Sequence, residues 1–215
     1  MGIESLYPFL YADGEDGAAA ESVVEEVTRS TREKVAETAA LREEVLASHA
    51  DVLVACAHAM ARAFAAGGRL FTFGNGGSST DAQAVAALFT APEGPEPALP
   101  AIALTGDVAV LTALSNDVSF DVVFARPIAA AGRPGDIALG LSTSGNSANI
   151  LRGLAEAHRQ GMVTVGLAGY AGGAMAEADT IDFLFVVPSS SVHRIQEAQT
   201  TVYQVLGELT HRVLS

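Results

Sequence analysis

The sequence predicts an α/β protein in which a parallel sheet is covered by helices on both faces and is preceded by long helices. Three observations carry this reading. From about Ala18 to Ala66 the chain is rich in Ala, Glu, Arg, Val and Leu and has no proline. Beyond Gly68, short apolar runs alternate with helical stretches, the pattern of strands joined by crossover helices. Hydrophobic residues make up 49% of the 215 and charged residues 17%, which is enough apolar side chain for a large core.

The elements follow in order. Residues 1–18 hold an aromatic cluster (Tyr7, Pro8, Phe9, Leu10, Tyr11) and then Asp13-Gly14-Glu15-Asp16-Gly17, which reads as an N-terminal arm ahead of a single domain over 19–215. Two readings of the arm stand side by side: a loose terminus, or a segment that docks on a neighbouring subunit or another protein. Val23, Val27, Val35, Ala39, Val45, Leu46, Ala50, Leu53 and Val54 recur at helical spacing. They predict two long helices, broken near Ser48-His49 and ended by Gly67-Gly68. Strands are expected at 69–73, 101–104, 136–141, 162–167 and 181–187, and helices near 79–91, 118–131, 148–160 and 192–213. The stretch 91–100, with four prolines, reads as a surface loop.

Composition excludes some partners. A net charge of −13 argues against nucleic acid or an anionic membrane as a direct partner. It would also repel an anionic metabolite, although salt confines that field to roughly 8 Å. Any phosphate site must therefore be built locally from amides and hydroxyls. Cys56 is the single cysteine, so no intrachain disulfide can form, and its apolar flanks predict a buried thiol. No apolar run is long enough for a bilayer, the N-terminus lacks a signal-peptide pattern, and Leu6 stands where a myristoylation signal needs Ser or Thr. The expected location is cytoplasmic.

Two segments carry chemistry. Leu70-Phe71-Thr72-Phe73-Gly74-Asn75-Gly76-Gly77-Ser78 and Leu139-Gly140-Leu141-Ser142-Thr143-Ser144-Gly145-Asn146-Ser147 each run from a strand into a helix. A helix start offers amide N–H groups without intrahelical partners and a partial positive charge. Glycine admits a ligand close to the backbone and hydroxyls add donors, so an anion site needs no lysine. Ordinary capping is the competing reading for one such loop. Two of them, both at carboxyl ends of strands, favour a ligand. The spacing fits neither a dinucleotide fingerprint nor a P-loop.

At these loops the chain resembles the SIS (sugar isomerase) family and, within it, the phosphoheptose isomerases. The matching segments are Gly74-Asn75-Gly76-Gly77-Ser78, Ser115-Asn116-Asp117, Ser142-Thr143-Ser144-Gly145-Asn146-Ser147-Ala148-Asn149 and Arg194-Ile195-Gln196-Glu197. The resemblance implies a five-stranded parallel sheet flanked by helices, and a homotetramer with sites at subunit interfaces. It implies that Ser78, Ser142, Thr143, Ser144 and Ser147 hold a phosphate, and that Asn75, Gly76, Gly77, Asn116, Asp117 and Gln196 line a sugar.

The chain departs from the family where protons move. The family's histidine and glutamate on the helix after the first loop fall at Ala84 and Leu88, its C-terminal-helix histidine at Gln204, and its aspartate ahead of Arg-Ile-Gln-Glu at His193. The family's zinc site, where present, uses the same histidines and glutamate, so no metal and no cofactor is expected. His193 and Glu197, four apart on a helix, are the candidates to stand in as acid and base; a helix-start histidine and a surface or interface glutamate is the competing reading. Two functions follow. One is a phosphosugar binder or sensor, or an adaptor tetramer like the relatives that bind the replication initiator. The alternative is an active phosphoheptose or related aldose–ketose phosphate isomerase using substituted residues. Whether the chain is an enzyme stays open at this level.

Overall fold

The computed structural model describes residues 17–215, with side chains from residue 22 onward. Most of the expected arm, residues 1–16, lies outside the described residues. Two compact units divide the chain, up to Ala39 and from Ala40.

The first helix, α1 (Gly17–Ala65), is continuous over 49 residues. The expected break near Ser48-His49 does not occur. No glycine or proline interrupts residues 18–66, and both polar side chains fold back onto the helix. Ser48 Oγ donates to the Val45 carbonyl at 3.1 Å, and His49 Nδ1 lies 2.9 Å from the same oxygen. His49 Nε2 then accepts the Val186 amide at 3.3 Å, so a residue read as a helix breaker ties the helix to a strand. The helix ends where Gly67 N–H bonds the Phe64 carbonyl and Gly68 N–H the Ala63 carbonyl, the paired bonds of a Schellman stop. In the first unit, residues 22–37 are almost entirely exposed, Val23, Val24, Val27 and Val35 included.

The second unit holds a five-stranded parallel sheet in the order β2-β1-β3-β4-β5. Its strands are β1 (Leu70–Gly74), β2 (Ala101–Ala103), β3 (Ile137–Ser142), β4 (Val163–Gly169) and β5 (Phe183–Val187). The helices are α2 (Gly77–Thr90), α3 (Val108–Asp117), α4 (Ala125–Ala131), α5 (Ala148–Arg159) and α6 (Val192–Leu214). Side chains alternate along each strand, which assigns the helices to faces. Leu70, Ile137, Leu139, Leu141, Val165 and Leu167 pack with Met60, Phe89 and Val202 of α1, α2 and α6. Phe71, Phe73 and Ala138 pack with Ile128, Ile150 and Leu154 of α4 and α5. Both faces are therefore dry, as parallel strands require.

The expected helix over 118–131 is corrected. Residues 120–122 form a short 3-10 turn capped by Ser119, and α4 begins just ahead of Pro127. Proline is tolerated in a first turn and excluded from a helix interior, so a single helix through 118–131 cannot form. The sequence reading also missed α3, which Asp107 caps by accepting the Val110 N–H at 3.0 Å.

The strand starts are locked by one carboxylate. Asp136, 3% exposed, accepts from Arg69 N (2.8 Å), Arg133 N (3.0 Å) and Arg69 Nη2 (2.8 Å), so its burial leaves no oxygen without a donor. Cys56 is fully buried and burial pushes its thiol pKa up, consistent with the inert thiol expected. Among the described residues, no helix is long and apolar enough to cross a membrane.

Candidate functional site

In this strand order the chain turns back at β1 and β3, so their carboxyl ends flank the crevice where open α/β sheets bind ligands. The two glycine- and serine-rich segments leave the sheet there. Gly74 pairs in register with Leu141, so Asn75 and Ser142 emerge side by side. The two loops are then joined directly. Asn75 Nδ2 donates to Asn149 Oδ1 and Asn149 Nδ2 to Asn75 Oδ1, each at 2.9 Å. Asn149 is 2% exposed and its Oδ1 also accepts the Ile150 N–H, so the clamp is part of the core.

The helix starts are left open for an anion. Neither α2 nor α5 receives a side-chain cap. Ser147 stands in the capping position of α5, but its Oγ lies 3.0 Å from Ser142 Oγ across the turn. Ser144 Oγ is 3.5 Å from Ser142 Oγ and accepts the Asn146 N–H. Three hydroxyls therefore converge on one turn, and among the described residues no side chain pairs with the Ala148 and Asn149 amides that open α5. Ser78, at the start of α2, is buried.

The second turn is held from behind. Gly145 has a φ of +66°, and a Cβ there would strike the Gly172 carbonyl, so neither the conformation nor the space admits a side chain. Asn146 Oδ1 accepts the Ala174 N–H at 2.8 Å, and the Gly145 carbonyl accepts the Met175 N–H at 3.0 Å. The segment after β4 is thus the template on which the hydroxyl turn is built.

Gln196 reaches the site from α6. Its amide lies on Gly77, where a Cβ would land on Nε2 and stand 3.0 Å from Oε1. Nε2 donates to Asp81 Oδ2 at 3.3 Å, and the Tyr203 hydroxyl lies 3.4 Å from Asp81 Oδ1. Burial raises the Asp81 pKa against the lowering effect of these two donors. Asp81, Asn149 and Tyr203 were given no site role from sequence, although Asn149 closes the matching segment that begins at Ser142. The one local signal Asp81 carries is that it stands four residues after Gly77 and shares its helix face.

The fold therefore brings together Asn75, Gly76, Gly77, Ser78, Gln196 and the turn Ser142, Thr143, Ser144, Ser147. Asn116 and Asp117 are exposed at the end of α3, where Asn116 Nδ2 donates to Asp117 Oδ1 at 2.7 Å. His193 is exposed on the first turn of α6, while Glu197 pairs with Arg194 at 2.7 Å. Leu88 and Gln204 line one cavity of about 640 Å³, with Glu208 and His211 further along α6. Ala84 is exposed. Alanine and leucine offer no metal donor, and among the described residues no three His, Cys, Asp or Glu side chains gather in a way that could hold a metal ion. The residues at these positions do not fit a zinc ion.

Comparison with known proteins agrees with this architecture. The SIS domain family matches residues 35–169. A phosphoheptose isomerase of Roseiflexus sp. (strain RS-1) is 41% identical over 188 residues, covering 87% of this chain and 94% of that protein. One of Chlorobaculum tepidum is 45% identical over 186 residues, covering 85% and 88%. Among solved structures, a phosphoheptose isomerase from Francisella tularensis superposes with a TM-score of 0.81 at 31% identity, covering 86% of this chain and 98% of that one. The enzyme from Neisseria gonorrhoeae gives 0.78 at 35% identity, covering 85% and 97%.

Proposed function

The chain belongs to the SIS domain family, in its phosphoheptose isomerase branch, and from that premise we propose that it binds a sugar phosphate at the paired starts of α2 and α5. One observation carries the proposal. Two uncapped helix starts, clamped by the Asn75–Asn149 pair, face a turn with three converging hydroxyls. Such a site neutralises a phosphoryl group with amide dipoles and hydroxyl donors, which suits a chain of net charge −13. Ser78, Ser142, Thr143, Ser144 and Ser147 would take the phosphate. Asn75, Gly76, Gly77 and Gln196 would line the sugar.

The reading for catalysis is a binder or sensor. Enediol chemistry needs a base within hydrogen-bond reach of a carbon-bound proton, and Ala84, Leu88 and Gln204 supply none. Isomerase activity is the second reading, supported by 41–45% identity to proteins named phosphoheptose isomerase. We place assembly into a homotetramer in the same proposal. Large exposed apolar side chains on α1 (Val23, Val24, Val27, Val35) and around α3 (Val108, Val110, Val118, Phe120) support it. In such an assembly Asn116 and Asp117 can line a neighbouring copy's site.

Thermal denaturation with and without sedoheptulose 7-phosphate tests the binding claim. A rise in melting temperature is expected with the phosphate ester and not with the free sugar. An unchanged melting temperature across a panel of sugar phosphates would refute it. An isomerisation assay with and without zinc separates the two readings.

A further inference from the structure

The geometry points to Asp81 as a positioning residue for the sugar end of the ligand: its carboxylate holds the Gln196 amide so that the amide oxygen faces the sugar hydroxyls beside the phosphate turn. The inference rests on the phosphosugar reading above and deepens it.

The two ends of a glutamine amide have nearly the same shape and opposite polarity, so only its partners decide which end a ligand meets. An ionised carboxylate can only accept. Asp81 Oδ2 takes the Nε2 end at 3.3 Å, and among the described residues Oε1 takes no hydrogen bond. The Gln196 amide also rests on Gly77, the first residue of α2, so the oxygen it presents lies beside the start of that helix. Asp81 is itself held. The Tyr203 hydroxyl, on a side chain 5% exposed, lies 3.4 Å from Oδ1 and 3.3 Å from Thr200 Oγ1. Thr200 Oγ1 in turn donates to the Gln196 carbonyl at 3.0 Å, which closes the network on the residue it positions.

Position decides between this role and direct proton abstraction. Asp81 is three residues past Ser78, roughly 4.5 Å along the α2 axis. That is abreast of the sugar carbons next to the phosphate, whereas the reacting carbons of a heptose lie at its far end. Burial raises the Asp81 pKa, so a carboxylate here is costly as mere structure, which agrees with a ligand-directed role.

Isothermal titration of inorganic phosphate and of sedoheptulose 7-phosphate into wild type, Asp81→Asn, Gln196→Ala and the double variant tests the idea. Asp81→Asn should weaken sugar-phosphate binding about tenfold and leave inorganic phosphate unchanged. The double variant should bind no more weakly than Gln196→Ala alone, because Asp81 acts through that amide. Equal loss for both ligands, no loss for the sugar phosphate, or additive losses in the double variant would each overturn it. Tyr203→Phe keeps the ring and should give a smaller loss of the same selectivity, so the test survives if Asp81→Asn folds poorly. A wild type that binds neither ligand removes the phosphosugar reading and this inference with it. A wild type that prefers the sugar phosphate, with Asp81→Asn preserving that preference, removes this inference alone.

Discussion

Ser147→Ala separates the structural work of the hydroxyl turn from its ligand work. In the free protein, among the described residues, Ser147 Oγ bonds only to Ser142 Oγ, at 3.0 Å, and Ser142 is 4% exposed. Removing the partner of one neutral, largely buried hydroxyl costs about 1 kcal/mol. For a domain of this size that lowers the melting temperature by about 2–4 °C. In the complex both hydroxyls would turn to the phosphate, and a hydrogen bond to a charged group contributes about 1.5–3 kcal/mol. Sugar-phosphate affinity should therefore fall about 10- to 150-fold, far more than the stability change alone would suggest. Titration calorimetry reads the affinity and calorimetric melting reads the stability. A variant with the expected melting shift and wild-type affinity would show that the Ser147 hydroxyl only holds the turn together and takes no part in binding.

Three further outcomes follow from buried polar groups. Asp136→Ala strands the Arg69 and Arg133 amides at the strand starts and should cost about 3 kcal/mol, read as a lower urea midpoint. Gln199 is fully buried and among the described residues neither of its polar side-chain atoms is bonded, so Gln199→Leu should stabilise the fold by roughly 1–2 kcal/mol, read as a higher urea midpoint. The third concerns Asp81. Its folded pKa lies above the unfolded value, so the folded state binds more protons between the two. Its contribution to stability is therefore present below the unfolded pKa and lost as pH rises through the folded one. Asp81→Asn should show a shallower fall in melting temperature across that window than wild type; identical pH profiles would remove the assigned cause.

The strands and the two glycine- and serine-rich turns were legible because their signals are local. Short, nearly continuous apolar runs between turn residues mark the strands, and Gly–Asn–Ser junctions mark the loops. Three things were not legible. The continuity of α1 depends on Ser48 and His49 folding back onto the Val45 carbonyl, which no local propensity records. The region 108–131 was misread because the helical pattern continues through Pro127, while proline moves the helix start. Asp81 was overlooked because its significance depends on Gln196, 115 residues away, reaching back across Gly77.

Whether such a site turns over is a question of reach. Gln196 sits at the phosphate end of α6, and Gln204 is eight residues further, roughly 12 Å along the axis. On the binder reading, a heptose phosphate anchored at the hydroxyl turn would place its reacting carbons near Leu88 and Gln204, which cannot take a proton. Glu93, Glu96, Glu208, His211 and Arg212 are the ionisable groups lining the same cavity, and on α6 Glu208 and His211 stand roughly 18 and 22 Å past Gln196. The binder reading we propose requires that none of these groups reaches the carbon-bound proton. Enediol formation leaves a trace even when net isomerisation is too slow to follow, because the abstracted proton exchanges with solvent. Sedoheptulose 7-phosphate held with the protein in deuterium oxide should therefore keep its C1 proton signals at full intensity by NMR. Deuterium entering C1 faster than in a protein-free control would show that a base does reach the sugar, and the binder reading would fall.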